Sequence, residues 1–191
     1  MKVLIVLPSY DSGGAENYAL RLVNHLGCEE FEWHVTSRKS KKISMVEPFE
    51  KASAVTHFVS PGMASPAGAF RFYKFLLKER FDVIMTFTGV FGGPALFLSW
   101  CAGLRHRIAW HRRSSPAYAP TFFNRAYAWL SLKLLNFSST KVLSNSEAAL
   151  DCFHPVIWQR SQRSQVIPNG VNSELFKRLQ HDREKIRSEL G

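Results

Sequence analysis

The residue types best placed to do chemistry fall in two short segments. The first is Asp11-Ser12-Gly13-Gly14-Ala15-Glu16. Adjacent glycines let a backbone approach an anion closely, and a helix starting behind them presents free N–H groups and the positive end of its dipole. The pattern is neither GxGxxG nor a P-loop, because no Gly-Lys-Ser/Thr follows. A plain strand-to-helix turn uses the same residues. The second segment, His111-Arg112-Arg113-Ser114-Ser115, follows the apolar Ile108-Ala109-Trp110. An imidazole at a strand end can donate to or accept from a substrate hydroxyl near neutral pH. Two guanidinium groups can hold a phosphate or carboxylate by bidentate bonds. A structural histidine beside solvated arginines fits the same letters.

Other chemistries find less. The acids include no Asp-x-Asp that would hold a divalent metal against a diphosphate, and no Gly-x-Ser-x-Gly elbow occurs. His25, His34, His57, His106, His154 and His181 show no HExxH or paired-ligand spacing, so no metal site is expected. Cys28, Cys101 and Cys152 are far apart and form no CxxC, which suits a reducing, cytoplasmic compartment. The charge balance is unusual: 25 Lys+Arg against 15 Asp+Glu, a net of +10. That field favours anionic partners, whether nucleic acid, an anionic membrane leaflet or a phosphorylated small molecule. No recognition helix, RRM or KH signature accompanies it, so nucleic acid is not the expected partner. Residues 69–81 set Phe72, Phe75 and Phe81 among Arg71, Lys74, Lys78 and Arg80, and Arg38, Lys39, Lys41 and Lys42 add a second basic cluster. The aromatic stripe serves equally as a surface resting on anionic lipid or as a core-facing row with solvated charges.

The elements that must position these residues alternate. Apolar runs at 3–7, 33–37, 54–59, 83–87, 107–110, 141–144 and 165–167 read as strands. Helical spacing marks 15–26, 69–80, 94–102, 120–136, a stretch near 146–153, and the polar 182–189. Met85 to Leu104 carries no charge and is long enough to span a bilayer, but Gly89, Gly92, Gly93 and Pro94 break it into strand, turn and buried helix. Strands separated by helices predict an α/β, Rossmann-like parallel sheet with helices on both faces. In such sheets ligands bind at the carboxyl ends of the strands, which selects the loops 9–14, 86–93, 111–116, 144–147 and 168–172.

Read in order, these segments resemble the N-terminal half of glycosyltransferase family 4 enzymes, which have the two-domain GT-B architecture. The resemblance rests on Lys2–Pro8 leading to Gly13-Gly14-Ala15-Glu16, then Phe81-Asp82-Val83-Ile84 and Ile108-Ala109-Trp110-His111. It continues through Lys141-Val142-Leu143-Ser144-Asn145-Ser146-Glu147-Ala148 and, most specifically, Val166-Ile167-Pro168-Asn169-Gly170-Val171-Asn172 with Phe176. It implies retaining, metal-independent transfer of a sugar from a nucleotide diphosphate sugar to a saccharide or lipid-linked acceptor, in cell-surface polysaccharide or glycolipid synthesis, with no further cofactor. By carry-over, Gly13 and Gly14 meet the donor diphosphate. His111 is the catalytic-centre histidine that positions and polarises. Glu16 meets the acceptor, while Asn145, Ser146, Asn169 and Gly170 line the cleft. Arg112-Arg113 is more basic than the family's common pattern and is expected to meet an anionic acceptor, lipid-linked or phosphorylated. The chain departs from many relatives at Thr86-Phe87-Thr88-Gly89, where they carry a histidine. The resemblance divides the chain into an acceptor-binding domain, 1–178, and a linker helix, 179–191, leading to a donor-binding domain. Without that partner domain little activity is expected of 1–191. The rival expectations are a non-catalytic module for anionic glycans or lipid headgroups, and one subunit of a split transferase. The inner face of the membrane is the expected place of work.

Overall fold

The structure, a computed structural model, describes residues 1–38, 43–61, 65–115, 121–154, 158–159, 161–170 and 186–190. One seven-stranded sheet contains β1 (Lys2–Val6), β2 (Glu32–Thr36), β3 (Val55–His57), β4 (Val83–Thr86), β5 (His106–His111), β6 (Lys141–Ser144) and β7 (Ser164–Val166). Their order is β3-β2-β1-β4-β5-β6-β7, and every pair is parallel. Parallel neighbours need crossover connections. These run through α1 (Gly14–Leu26), α2 (Val46–Lys51), α3 (Pro66–Glu79), α4 (Gly93–Cys101), α5 (Phe122–Ser138) and α6 (Glu147–Phe153).

The aliphatic run of β1 follows from burial on both faces. Val3 and Ile5 pack with Ala19 and Val23 of α1 and Phe49 of α2. Leu4 and Val6 face Phe72 and Leu76 of α3, Leu96 of α4, Leu135 of α5 and Leu150 of α6. Helices therefore cover both faces, and the winding direction reverses between β1 and β4, as expected of the Rossmann-like class.

Local signals explain the helix starts. Ser65, Thr121 and Ser146 accept hydrogen bonds from the N–H groups of Gly68, Asn124 and Ala149 at 3.1, 3.3 and 3.3 Å. Pro66 at the first position of α3 starts that helix three residues before the expected 69. The sequence reading had no element at α2, whose six residues are too few to show a period and include Pro48. The uncharged stretch 85–104 divides into β4, a 3-10 turn at Gly89–Gly92 and the nine-residue α4. Among the described residues no helix is long and apolar enough to cross a membrane.

Of the two readings of the 69–81 stripe, the core-facing one holds. Phe72 and Phe81 are 0% and 5% exposed, and Phe75 packs against His57 and Phe81, so this stripe belongs to the core and cannot rest on lipid. Lys39, Lys41 and Lys42 lie outside the described residues, as does the expected boundary at 178/179; residues 186–190 are helical and exposed.

Glycine 93 fixes how closely α4 approaches α5. A Cβ there would sit 1.9 Å from the Ser131 carbonyl oxygen, and the Ser131 hydroxyl donates to Val90 O at 2.7 Å beside it. The obstruction is backbone, so a rotamer change cannot relieve it. Gly93→Ala should lower unfolding stability by about 3 kcal/mol, in the upper range for overpacking. Urea denaturation checks this, with unchanged stability pointing to a looser α4–α5 crossing.

Candidate functional site

The reversal at β1 and β4 opens a cavity of about 550 Å³ at the carboxyl ends of the strands. Its wall draws on Gly13 to Glu16 after β1, Phe87 to Phe91 after β4, His111 to Arg113 at the end of β5, Asn145 after β6 and Asn169 after β7. Five separate segments thus meet where the sheet rule puts a ligand.

Strand alternation sorts the end of β5. Trp110 faces α1, where its ring meets Tyr18 at 5.2 Å and Phe87 at 5.3 Å. His111 faces the other way, stacked on Phe153 at 5.0 Å. Arg112 returns to the α1 side, its guanidinium carbon 3.8 Å from the Tyr18 ring centroid. Nε and Nη1 of Arg112 are buried without hydrogen-bond partners among the described residues, and no carboxylate there pairs with it. Burial pulls its pKa below the ordinary guanidinium range. A half-buried guanidinium with two unmet N–H groups is destabilising until an anion meets them. Arg113 is exposed.

His111 is 1% exposed, and its Nε2 lies 3.0 Å from Nε2 of His154. One ring must carry the proton between them. His111 Nδ1 has no partner among the described residues. Burial, then the neighbouring His154, drive the pKa of His111 down to about 3, and burial with Arg163 takes His154 to about 4. Both rings are therefore neutral at ordinary pH, and His111 can offer Nδ1 as a fixed donor or acceptor according to the tautomer His154 selects.

At the glycine loop the two glycines do different work. Gly13 is the N-cap of α1 and has extended backbone, with no side-chain cap. A Cβ on Gly13 would meet Glu16 Oε2 at 2.5 Å, so the carboxylate of Glu16 folds back over the start of its own helix. Burial raises the pKa of Glu16, while N–H bonds from Glu16 itself and Ser9 oppose the rise. Glu16, expected at the acceptor, thereby holds the loop's shape. Around Gly14 a Cβ would meet nothing within 4 Å. Tyr10 anchors the approach from β1, its hydroxyl 2.6 Å from Val35 O and 2.9 Å from His57 O.

Of the expected residues, Gly13, Gly14, Glu16, His111, Arg112, Arg113, Asn145 and Asn169 come together on one cavity wall. Ser146 instead caps α6, and Gly170 lies exposed beyond Asn169. His154, Tyr18 and Phe153 were missed. Tyr18 read as part of an apolar helix face, and nothing in spacing links His154 to a partner 43 positions away. Among the described residues no group of three His, Cys, Asp or Glu side chains is arranged to hold a metal ion.

Residues 12–175 match the pattern of Glycosyltransferase Family 4. The chain belongs to glycosyltransferase family 4. It is 26% identical over 151 residues to CapH, a capsular polysaccharide biosynthesis glycosyltransferase of Staphylococcus aureus, a match covering 78% of this chain and 41% of CapH. Anabaena Alr3699/HepE, solved with UDP-glucose, is similar over all of this chain and 50% of its own, with a TM-score of 0.69 and 20% identity. The same protein has been solved with UDP and with UDP and glucose. A glycosyltransferase from Rickettsia africae gives a TM-score of 0.62 at 16% identity, covering 97% of this chain and 49% of that one. The family 4 chain thus has the Rossmann-like fold of GT-B glycosyltransferases and spans about half the length of the relatives it matches.

The buried histidine pair has a consequence for stability. Both folded pKa values lie below the ordinary 6.5, so between about 4 and 6.5 the unfolded chain binds more protons than the folded one. Stability from the pair is present above 6.5 and is lost as pH falls. The melting temperature should drop between about pH 7 and pH 5, and the drop should shrink in His111→Asn/His154→Asn. An identical drop in that variant would assign the acid sensitivity elsewhere.

Proposed function

We propose that this chain is the acceptor-side domain, residues 1–178, of a retaining, metal-independent glycosyltransferase. The reaction moves a sugar from a nucleotide diphosphate sugar to a saccharide or lipid-linked acceptor in cell-surface polysaccharide or glycolipid synthesis. The observation that carries this is the pairing of unmet donors with open space. Arg112 and His111 hold unpartnered polar atoms on the wall of a cavity that the unobstructed Gly14 at the start of α1 also lines. Family membership, the capsule role named for CapH and the UDP-glucose bound by HepE support the sugar nucleotide.

In this reading Gly13 and Gly14 bring the first N–H groups of α1 against the donor diphosphate, and Gly14 leaves room for it. His111, neutral and held by Phe153 and His154, hydrogen-bonds through Nδ1 to the reacting sugars. It positions and polarises and forms no covalent bond. Transfer on one face of the sugar breaks the bond from the anomeric carbon to the diphosphate and forms the bond to the acceptor oxygen. The acceptor's proton leaves with the diphosphate. Arg112 takes an anionic group of the acceptor, with Arg113 adding field from the rim, and Asn145 and Asn169 close the cleft. The work is placed on the cytoplasmic side, at the inner face of the membrane; Cys28, Cys101 and Cys152 are free and exposed, which suits a reducing compartment.

Two substitutions in the full polypeptide test the assignment. Gly14→Ala has room and improves helix propensity, so folding stability should hold while donor affinity falls about tenfold, the worth of one lost charge-assisted bond. Arg112→Ala should raise the acceptor KM about tenfold and leave the donor Kd within about twofold. Calorimetric titration with the nucleotide sugar and initial-rate kinetics separate the two. If Arg112→Ala weakens the donor instead, the guanidinium serves the diphosphate and the acceptor assignment falls.

A further inference from the structure

We infer that the outer face of α5 is the surface by which this protein rests on an anionic lipid bilayer. Phe122, Phe123, Trp129, Leu130 and Phe137 are 80%, 82%, 63%, 50% and 62% exposed. Positions 122, 126, 129–130, 133 and 137 fall on one helical stripe. The opposite stripe, Ala128, Ser131, Leu135 and Ser138, is already buried against the domain, so the exposed rings have no place in the core. This separates α5 from α3, whose phenylalanine row turned inward.

Charge names the occupant. Lys133 stands exposed within the stripe and Arg125 exposed at its edge, and the Lys133 ammonium lies 5.7 Å from the Trp129 ring centroid. From Val83 to Ser146 the sequence has no Asp or Glu, while seven Lys and Arg occur. Neither α5 nor α4, the helix packed beside it, therefore carries a negative charge. Trp100 at the end of α4 extends the aromatic surface, its ring 5.0 Å from Phe137. A face of large apolar side chains with cations and no anions is complementary to the headgroups and upper acyl region of an anionic leaflet. A second copy of the same face would bring cations against cations, which argues against self-association there.

Position adds a reason. The His111–Ser115 segment leads toward α5, which begins at Phe122, so the most exposed rings stand at the cavity end of the sheet. A headgroup-bearing acceptor could enter the cavity without its chain leaving the bilayer. The inference shares the membrane placement proposed above but rests on α5, and its test uses no sugar donor.

The experiment is co-sedimentation of the full polypeptide with vesicles of phosphatidylglycerol and phosphatidylcholine, or of phosphatidylcholine alone. The expected partition into anionic vesicles exceeds that into neutral ones at least tenfold and weakens with salt. Phe122→Ser/Phe123→Ser/Trp129→Ser and, separately, Arg125→Glu/Lys133→Glu should each reduce it at least tenfold with unchanged melting temperature, since all five side chains are exposed. Phe70→Ser/Leu77→Ser on α3 should leave it unchanged. Wild-type partition in both α5 variants overturns the inference. So does loss in the α3 variant alone, or binding to an oligonucleotide with none to vesicles. Loss of vesicle binding with donor titration intact removes only this surface. Loss of donor binding with vesicle binding intact removes only the transfer reading.

Discussion

β1 lies between β2 and β4, and that one reversal of winding makes the rest of the molecule possible. Crossovers on either side of β1 lead to opposite faces, so helices cannot close over its carboxyl end. Burying Val3 to Val6 on both faces demands those two helix layers, and the same demand leaves the gap between them. The cavity is thus a by-product of how the core is satisfied. Every functional side chain has only to be placed at the end of an element that the core already holds.

That logic explains what could be read from letters alone. The strands were legible because both-face burial forces short aliphatic runs, and the loops were legible because the sheet rule picks strand ends. Gly13, Gly14, His111 and Arg112 could be named because each adjoins a strongly patterned element. The contacts that give them character were not legible. The pairing of His111 with His154 depends on how α6 lies over β5, and the fold-back of Glu16 depends on the backbone at Gly13. The α3 and α5 surfaces show the same limit from the other side. Both carry aromatic and basic residues, and only the packing of each helix decides which row is core and which is exposed.

Electrostatics ties the cavity to the whole chain. A net charge of +10 repels itself, and at Arg112 part of that charge is sheltered from water on an aromatic floor of Tyr18, Trp110 and Phe87. The arrangement costs stability in the free protein and returns it when an anion arrives. No carboxylate among the described residues pairs with Arg112, so a ligand has no internal ion pair to displace there. The acid-free stretch from Val83 to Ser146 carries both Arg112 and α5, and Glu16 comes to the cavity from α1 instead.

His111 shows how the two neighbouring charge regimes differ in purpose. A histidine held near its ordinary pKa beside two arginines would alternate between neutral and charged, and its contribution to any ligand in the cavity would vary with pH. Deep burial against Phe153 and His154 removes the charge instead and leaves a ring with one committed nitrogen and one free. The cavity then has a positive group at Arg112 and a neutral hydrogen-bonding group at His111, on opposite faces of the same strand end. Strand alternation makes that division, since consecutive residues cannot share a face. Trp110, His111 and Arg112 thus set an aromatic floor, a neutral hydrogen-bonding group and a cation side by side from three consecutive residues.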